Sequence, residues 1–216
     1  MIATAMKRYE SFEFLYPPRP TAAILPTQFG YFERKGFVSQ FKLNGTCSII
    51  GIGPGDEVQL WNRHHEPLKW SMPSDLQAKF KYVCGSGAWT VLVAELMHSK
   101  VKGGPKNTLY CHDVLVWQGS YLIGESYRDR IARLYAAFQV DDALIAQSHF
   151  VVHDNLWITR TFMGGTEEMF SSITPGGILE GVVLKSPDAA LEECSKESAN
   201  SRWSCKCRFA NKNLAF

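Results

Sequence analysis

Lys42 is the first residue of this sequence whose setting suggests chemistry. It lies in the stretch FVSQFKLNGTCSII, behind Phe37 and Phe41 and just before Asn44 and Gly45. An Asn-Gly pair between alternating apolar and polar residues is a strong β-hairpin signal, so we expect Lys42 at a strand end beside a tight turn. A lysine amine attacks an electrophile only when it is deprotonated, which partial burial or a neighbouring cation favours. Lys42 is therefore a candidate nucleophile, and a solvated lysine at a strand end is the alternative.

A second candidate is the segment EGVVLK, which runs from Glu180 to Lys185. An acid, a glycine, a short apolar run and a lysine predict a buried strand with charged ends. Burying both charges requires partners, and a metal ion and phosphates would serve. The alternative is a core strand whose ends reach solvent. Strict alternation puts the two charges on opposite faces, so they serve one site only from opposite strand ends or beside a β-bulge.

A third candidate is the segment RWSCKCRF near the end of the chain. Strand alternation places Lys206 and Arg208 on one face and Cys205 and Cys207 on the other. Two neighbouring cations repel each other unless an anion lies between them, and a phosphate is a suitable anion. The alternative is a solvated edge strand, in which lysine is also common.

Isolated polar residues also occur in apolar strand-like segments. His112 and Asp113 lie in CHDVLVWQG, and Glu95 lies in VLVAEL. An imidazole ring can stack on a nucleobase, but it can equally be a hydrogen-bonded core histidine. Arg63 ends a predicted strand just before the turn-like sequence HHEP. Each of these signals is weak when it is taken alone.

Composition and charge indicate an ordinary globular protein. The chain has 216 residues, of which 45% are apolar and 20% charged, and its formal net charge is +2. This length fits one large domain, or one domain with a small appendage. No apolar run approaches a membrane span and no secretory apolar region opens the chain, so we expect a cytoplasmic protein without a membrane partner. The net charge neither requires nor excludes a nucleic-acid partner. The six cysteines form no C-x-x-C pair, and we interpret all of them as reduced thiols.

The elements that must position these residues are mostly strands. The Pro-rich stretch LYPPRPTAAILP favours an extended conformation, because X-Pro steps disfavour helix. One helix is predicted to begin at Ser74, where SDLQ has the spacing of a capping box, and another covers Ser126 to Phe138, where apolar residues recur at helical spacing. Many strands with few helices predict an α+β fold with antiparallel sheets. The predicted strands are 36–42, 46–52, 57–63, 89–97, 109–117, 155–162, 180–185 and 202–209.

The order of these motifs resembles the covalent nucleotidyltransferase superfamily. Lys-x-Asn-Gly is followed by a strand-end Arg, an acid in an apolar strand, His-Asp, Glu-Gly-Val-Val-Leu-Lys and Lys-x-Arg. The superfamily contains ATP-dependent DNA ligases, RNA ligases and GTP-dependent mRNA capping enzymes. The resemblance runs from about Val38 to Arg208. It implies an adenylyltransferase catalytic domain over residues 36–216, preceded by an N-terminal Pro-rich wrapping segment over residues 1–35. The implied fold is α+β, with an ATP-grasp-like core of antiparallel sheets flanked by helices.

The resemblance implies a role for each residue of the first motif. Lys42 is the expected nucleophile, which attacks the α-phosphorus of ATP, forms a lysyl-AMP phosphoramidate and releases pyrophosphate. Gln40 and the backbone of Phe41 stand where members of the superfamily contact the adenine edge. Asn44 and Gly45 complete the nucleotide-binding motif and form the turn that presents the lysine to the pocket.

Further roles follow for the later motifs. The resemblance implies that Arg63 contacts the ribose and phosphates, that Glu95 binds the ribose hydroxyl, and that His112 stands where an aromatic ring stacks on the base. Glu180 matches the metal-associated acid, and with Glu95 it is expected to hold Mg²⁺ or Mn²⁺. The cations expected to hold the α-phosphate and to stabilise the transition state are Lys185, Lys206 and Arg208.

The sequence also departs from the superfamily pattern. Asn44 replaces the usual aspartate, Cys47 stands where DNA ligases commonly carry an arginine, and Arg208 replaces a lysine. The Gly-Thr pair that ends at Thr46 is closer to RNA ligases. Since the chain ends at Phe216, we expect no C-terminal oligonucleotide-binding (OB) barrel.

The resemblance therefore implies an ATP-dependent polynucleotide ligase of a minimal, phage-like type. Its expected substrate is nucleic acid with 5′-phosphate and 3′-hydroxyl ends, with RNA slightly favoured over DNA, and its compartment would be the host cytoplasm if its source is viral. The alternatives are a minimal DNA ligase, an mRNA capping guanylyltransferase and a non-catalytic module that binds nucleic-acid ends. The sequence leaves the oligomeric state open.

Overall fold

The structure is a computed structural model that describes residues 14–55, 57–85, 87–97, 104–193 and 200–209, without the side chains of Thr21, Asp142 and Asn200. Within these ranges the strands are β1 (Arg19–Ala23), β2 (Val38–Leu43), β3 (Thr46–Ile52), β4 (Val58–Asn62), β5 (Thr90–Met97), β6 (Thr108–Trp117), β7 (Ser120–Tyr121), β8 (Leu144–Ile145), β9 (His149–His153), β10 (Leu156–Thr159), β11 (Leu179–Lys185) and β12 (Asn200–Arg208). The α-helices of the same ranges are α1 (Phe29–Arg34), α2 (Ser74–Cys84), α3 (Tyr127–Phe138) and α4 (Thr166–Ser171), and short 3₁₀ turns cover Pro26–Gln28 and Val140–Asp142.

The strands form two sheets. The smaller sheet has the order β1-β12-β11-β2, and only its β1–β12 pair is parallel. The larger sheet has the order β4-β3-β5-β6-β10-β9-β8, with β7 added beside β6 and only the β6–β10 pair parallel. Neither sheet closes into a barrel in the part of the chain that the structure describes. The predicted α+β class with mainly antiparallel sheets is therefore confirmed.

Two hydrophobic cores support these sheets. The first packs α2 and α3 against the larger sheet, and Phe80 and Leu134 of the helices are fully buried with Leu92 of β5. The second lies on one face of the smaller sheet, where Val182 and Cys205 pack with side chains of α1 and α4. The opposite face of the smaller sheet is left to face the larger sheet, and the candidate site lies there.

Most local predictions are confirmed, with one correction at a helix start. Each of the eight predicted strands overlaps a strand of the structure, and α3 begins after Ser126, whose hydroxyl accepts a hydrogen bond from the Asp129 N–H. Helix α2 begins at the predicted Ser74, but Pro73 is its N-cap and no side chain caps it, so the predicted capping box is wrong. The dihedral angles of Pro73 already place the chain outside the helix, which makes Ser74 the first helical residue.

The predicted hairpin at Asn44 and Gly45 is also wrong. Strand β2 pairs with β11, whereas β3 pairs with β4 and β5, so the two strands belong to different sheets. The physical reason lies in β3, whose residues 48–52 are all buried, so that both of its faces need cover. A turn motif fixes the local reversal of the chain but not the partners of the strands that it joins.

The N-terminal segment contains more structure than the sequence suggested. Its described part, residues 14–35, includes β1 and α1, and Leu15 is buried in the first core. The wrapping role given to residues 1–35 and the boundary before residue 36 stay predictions. None of the helices in the described ranges combines the length and apolar character that crossing a bilayer requires. The described cysteines, all except Cys194, are free thiols.

Candidate active site

A cavity of about 450 Å³ lies between the two sheets. Its walls come from β2, β11 and β12 on one side, from β3, β5 and β6 on the other, and from the N-terminal residues 17–20 at one margin. This volume falls within the range of small-molecule sites, about 300–1,000 Å³. The predicted site residues that line it are Gln40, Phe41, Lys42, Arg63, Glu95, His112, Lys185, Lys206 and Arg208.

Lys42 and Glu180 form an ion pair at this cavity. Lys42 Nζ contacts Glu180 Oε1, and the two side chains retain 22% and 14% of their exposure. The pairing register of β11 with β2 shifts between Leu179 and Gly181, and from this bulge Glu180 contacts Lys42, while Lys185 lines the cavity itself. A β-bulge was one of the two arrangements by which the sequence allowed both charges to serve one site.

Gly181 is required by the close approach of β11 and β12. A Cβ atom at this position would lie 2.6 Å from the Cα of Arg208 and would overlap the carbonyl oxygen of Cys207. Only glycine allows the two strands to pair at this point. The glycine of the Glu-Gly motif therefore holds the strand that carries Glu180 against the strand that carries Arg208.

Asn44 and Gly45 do not line the cavity. The Asn44 N–H donates a hydrogen bond to the carbonyl oxygen of Ile178 at 2.9 Å. A Cβ atom at Gly45 would lie 2.8 Å from the carbonyl oxygen of Leu96, so this glycine allows the turn to pack tightly on β5. The geometry gives both residues a role in placing Lys42, and their contact with a nucleotide stays a prediction.

Lys185 is buried over an aromatic ring. Its Nζ atom lies 4.3 Å from the ring centroid of Tyr127, which is a cation–π arrangement. Burial lowers the pKa of Lys185 to about 8, with the negative charge of Asp113 opposing this shift and the positive charge of Arg130 adding to it. Lys185 is thus a cation with few compensating contacts, and an anion in the cavity would stabilise its charge.

Asp113 and Arg130 form a buried bidentate pair. Arg130 Nε and Nη2 donate to the two carboxylate oxygens at 2.9 and 3.1 Å, and Nη1 donates to the Glu125 carbonyl oxygen at 2.8 Å. Burial opposes the ionisation of Asp113, but the charge and hydrogen bonds of Arg130 outweigh it, so the pKa of Asp113 is lowered. No role for Arg130 could be predicted, because an arginine within a helix usually faces solvent.

Glu95 and His112 both lie on the larger sheet's wall, where burial shifts their pKa values in opposite directions and favours the neutral form of each. Burial raises the pKa of Glu95 to about 7, although the charge of Lys42 opposes this shift. Burial and then the charge of Lys185 lower the pKa of His112 to about 3, so its imidazole is neutral near pH 7. A neutral ring suits stacking on a nucleobase. Gln40, the predicted base contact, has its Nε2 atom 2.6 Å from the Tyr127 hydroxyl, to which it donates.

Cations outnumber carboxylates along the cavity. Lys206 and Arg208 face it from β12 while Cys205 and Cys207 lie in the second core, as alternation predicted. Burial lowers the pKa of Lys206, and the charges of Arg208, Lys42 and Arg19 lower it further. The sequence analysis did not identify Arg19 as a site residue. The lining cations are Arg19, Lys42, Arg63, Lys185, Lys206 and Arg208, and the lining carboxylates are Glu95 and Asp113.

The fit of a metal ion was tested on the acidic residues. The described residues contain no group of three or more His, Cys, Asp or Glu side chains placed to hold a metal ion. Glu95 and Glu180 both act on the environment of Lys42, and the charge of Glu180 reaches Glu95. Two carboxylates suit an ion such as Mg²⁺ that takes its remaining ligands from phosphates and water. The metal role of these two residues stays a prediction.

This chain shares its fold with solved structures of DNA ligase domains. The crystal structure of the ligase domain of LigD from M. tuberculosis aligns with 91% of this chain at a TM-score of 0.59 and 16% identity. A mycobacterial DNA ligase D complexed with ATP and MES aligns with 93% at a TM-score of 0.60 and 18% identity. A structure named Pmar-Lig_PreS3 aligns with 90% at a TM-score of 0.57 and 15% identity. The fold that the motif order implied is therefore confirmed.

These likenesses concern the fold alone. The chain spans 61%, 62% and 47% of the lengths of those three structures, respectively. No protein-family model matches the sequence, and no curated protein matches it significantly. The activity therefore has to be argued from the site itself.

Proposed function

We propose that this protein is an ATP-dependent polynucleotide ligase that joins 5′-phosphate to 3′-hydroxyl ends through a lysyl-AMP intermediate on Lys42. The observation that carries the proposal is the Lys42–Glu180 pair at a cation-lined cavity, within a fold shared with ligase domains. A solvated strand-end lysine would need neither the cavity nor the surrounding charges.

In the first step, the Lys42 amine attacks the α-phosphorus of ATP. A bond forms between Nζ and phosphorus, the bond from phosphorus to the bridging oxygen breaks, and pyrophosphate leaves with the electron pair. The amine must release a proton to solvent before it attacks, and the Glu180 carboxylate that contacts Nζ orients it. Lys185, Lys206 and Arg208 then stabilise the negative charge that develops around the α-phosphate.

Other lining residues orient the nucleoside. His112 stacks on the adenine from the larger sheet, and Gln40 and the Phe41 backbone contact it from the smaller sheet. Arg63 and Glu95 contact the ribose from the larger sheet. Because these groups come from both sheets, the nucleotide is held between them and its α-phosphate is brought to Lys42.

Glu95 and Glu180 would hold the divalent ion, Mg²⁺ or Mn²⁺, together with phosphate oxygens and water. The ion supplies neutralisation of phosphate charge during the displacement.

The nucleic-acid substrate completes the proposal. AMP passes from Lys42 to the 5′-phosphate of one end, and attack by a 3′-hydroxyl seals the strand and releases AMP. RNA ends are proposed to be preferred slightly over DNA ends because Thr46 follows the Lys-x-Asn-Gly motif, as in RNA ligases. The solved structures with this fold include DNA ligases, so both substrates belong in the test.

The test incubates the protein with α-labelled ATP or GTP and a divalent ion, followed by a denaturing gel. We expect a covalent label from ATP, none from Lys42→Ala, and an unchanged label from Lys35→Ala, which removes an exposed lysine outside the cavity. A label from GTP alone would point to a capping guanylyltransferase, and no label at all would point to a binding module. Joining of matched RNA and DNA ends then tests the second step.

A further inference from the structure

Arg19 holds a fixed position at the cavity. The segment before it is anchored, because the Phe14 ring stacks on His65 at a centroid distance of 4.0 Å and Leu15 is buried in the first core. The segment after it is β1, which pairs with β12. Arg19 is flanked by three prolines that also line the cavity, Pro17, Pro18 and Pro20. Proline fixes the backbone φ angle, so this wall is stiff and the arginine is pre-placed.

The charge of Arg19 acts across the cavity on both sheets. It lowers the pKa of Lys206 on β12 of the smaller sheet. It also acts on Cys47 of β3 in the larger sheet, where its effect exceeds that of Lys42. The guanidinium group therefore lies close enough to both walls to act on Lys206 and on Cys47, the residue that stands where DNA ligases commonly carry an arginine.

No carboxylate of the described residues pairs with Arg19. Its neighbours Lys206 and Arg208 are also cations, and this arrangement is unfavourable unless an anion joins it. Because an arginine presents two parallel N–H donors, it suits a phosphate particularly well. An anion in the cavity would therefore reduce the repulsion among these cations.

We infer that Arg19 binds the β- and γ-phosphates of ATP and stabilises the pyrophosphate that leaves when Lys42 is adenylylated. This inference rests on the proposed function. In that step the bond between the α-phosphorus and the bridging oxygen breaks, and negative charge accumulates on the departing pyrophosphate. A rigid cation beyond the α-phosphate cations lowers the energy of that charge.

The test compares ligands with and without the outer phosphates. In the full chain carrying Lys42→Ala, which cannot be labelled, calorimetry measures binding of ATP, AMP and inorganic pyrophosphate, with and without Arg19→Ala. We expect Arg19→Ala to weaken ATP and pyrophosphate binding by about tenfold to a hundredfold and to leave AMP binding unchanged, as the loss of a charged hydrogen bond predicts. Arg19→Lys should retain part of the affinity, and Arg34→Ala, which removes an exposed arginine of α1, should change nothing.

Kinetics on the protein with Lys42 intact show whether Arg19 binds the outer phosphates of ATP or the phosphate of the polynucleotide end. Arg19→Ala should slow labelling by ATP and the pyrophosphate-driven reversal, while joining of pre-adenylylated ends stays normal. Slower joining with normal labelling would assign Arg19 to the polynucleotide phosphate and overturn the inference. Equal weakening of ATP and AMP would overturn it as well. If the unmodified protein binds ATP more tightly than AMP through Arg19 but never becomes labelled, the proposed function fails and the phosphate assignment survives.

Discussion

The buried Asp113–Arg130 pair joins β6 to α3, and its contribution to the free energy of unfolding can be tested directly. Asp113→Asn keeps the size of the side chain but removes its charge, and it places an amide N–H₂ where one guanidinium N–H group now donates. The Arg130 side chain has no solvent exposure, so its charge would stay buried without its anion. Removal of one partner of a buried ion pair typically lowers the free energy of unfolding by about 3–5 kcal/mol.

The structure favours the lower end of that range. Arg130 keeps its hydrogen bond to the Glu125 carbonyl oxygen and lies over the rings of Tyr127 and Trp203, at 5.6 and 5.5 Å from their centroids. We therefore expect Asp113→Asn to cost about 3 kcal/mol, which for a domain of this size corresponds to a fall in Tm of roughly 6–12 °C. Total stabilities are only about 5–15 kcal/mol, so this loss is easily measured.

The assay is urea denaturation followed by tryptophan fluorescence. Asp188→Asn is the matched control. Asp188 pairs with Arg128, which lies in α3 like Arg130, but both side chains of this pair are more than half exposed. An exposed pair is worth about 0–1 kcal/mol, so the control should change little. If Asp113→Asn cost no more than the control, the buried pair would not be what ties β6 to α3.

Three further predictions concern the walls of the cavity. Burial lowers the pKa of Lys185 to about 8, so between about pH 8 and 10.5 the unfolded chain binds more protons than the folded one, and this residue makes the free energy of unfolding rise with pH there. ATP binding needs the charged form of Lys185, so calorimetry should show weaker ATP binding above pH 8. The variant Lys185→Arg should abolish that pH dependence. His112→Phe should keep ATP binding, whereas His112→Ala should lose about 1–3 kcal/mol of the ATP-binding free energy, as for base stacking on an aromatic ring. Equally severe losses in both variants would indicate a histidine that acts by hydrogen bonding. Gly181→Ala should lower the free energy of unfolding by at least about 2 kcal/mol, because β11 and β12 must separate to make room for the methyl group. Gly87 has open space around it, so Gly87→Ala should stay within about 0.5 kcal/mol of the unmodified protein in the same urea titration.

Eight of the twelve strands in the described residues were predictable because their signal is local. Alternation of apolar and polar residues located all eight predicted strands, and helical spacing located α3 with its Ser126 cap. The pairing of strands is a long-range property, and no local pattern showed that β1 joins β12 or that β9 lies beside β10. The short helices α1 and α4 were missed because six residues carry too little periodicity to be recognised.

At the site, too, residues in short sequence motifs were predicted, whereas residues whose partners are distant in sequence were missed. Lys42, Glu180, Lys185 and the two cations of β12 were identifiable because each lies in a short motif and the motifs keep a recognisable order. Arg130 was missed, since its role depends on a carboxylate 17 residues away in sequence that only the fold brings to it. Arg19 had one usable signal, an arginine enclosed by prolines, but a stiff segment by itself does not reveal which wall it will form.

The incorrect hairpin prediction explains why the lysine motif needs its glycine. Strand β2 ends in the smaller sheet and β3 begins in the larger one, so the turn between them is where the two walls of the cavity meet. A side chain at Gly45 would press on the Leu96 carbonyl oxygen and on the Glu95 carboxylate, which lie 2.8 and 3.2 Å from the position of its Cβ atom. Relief of that overlap would move β2 away from β5 and would carry Lys42 away from the larger sheet. A hairpin would have kept the lysine within one sheet, whereas a turn between sheets places it where Glu180 of one wall and Glu95 of the other both act on it.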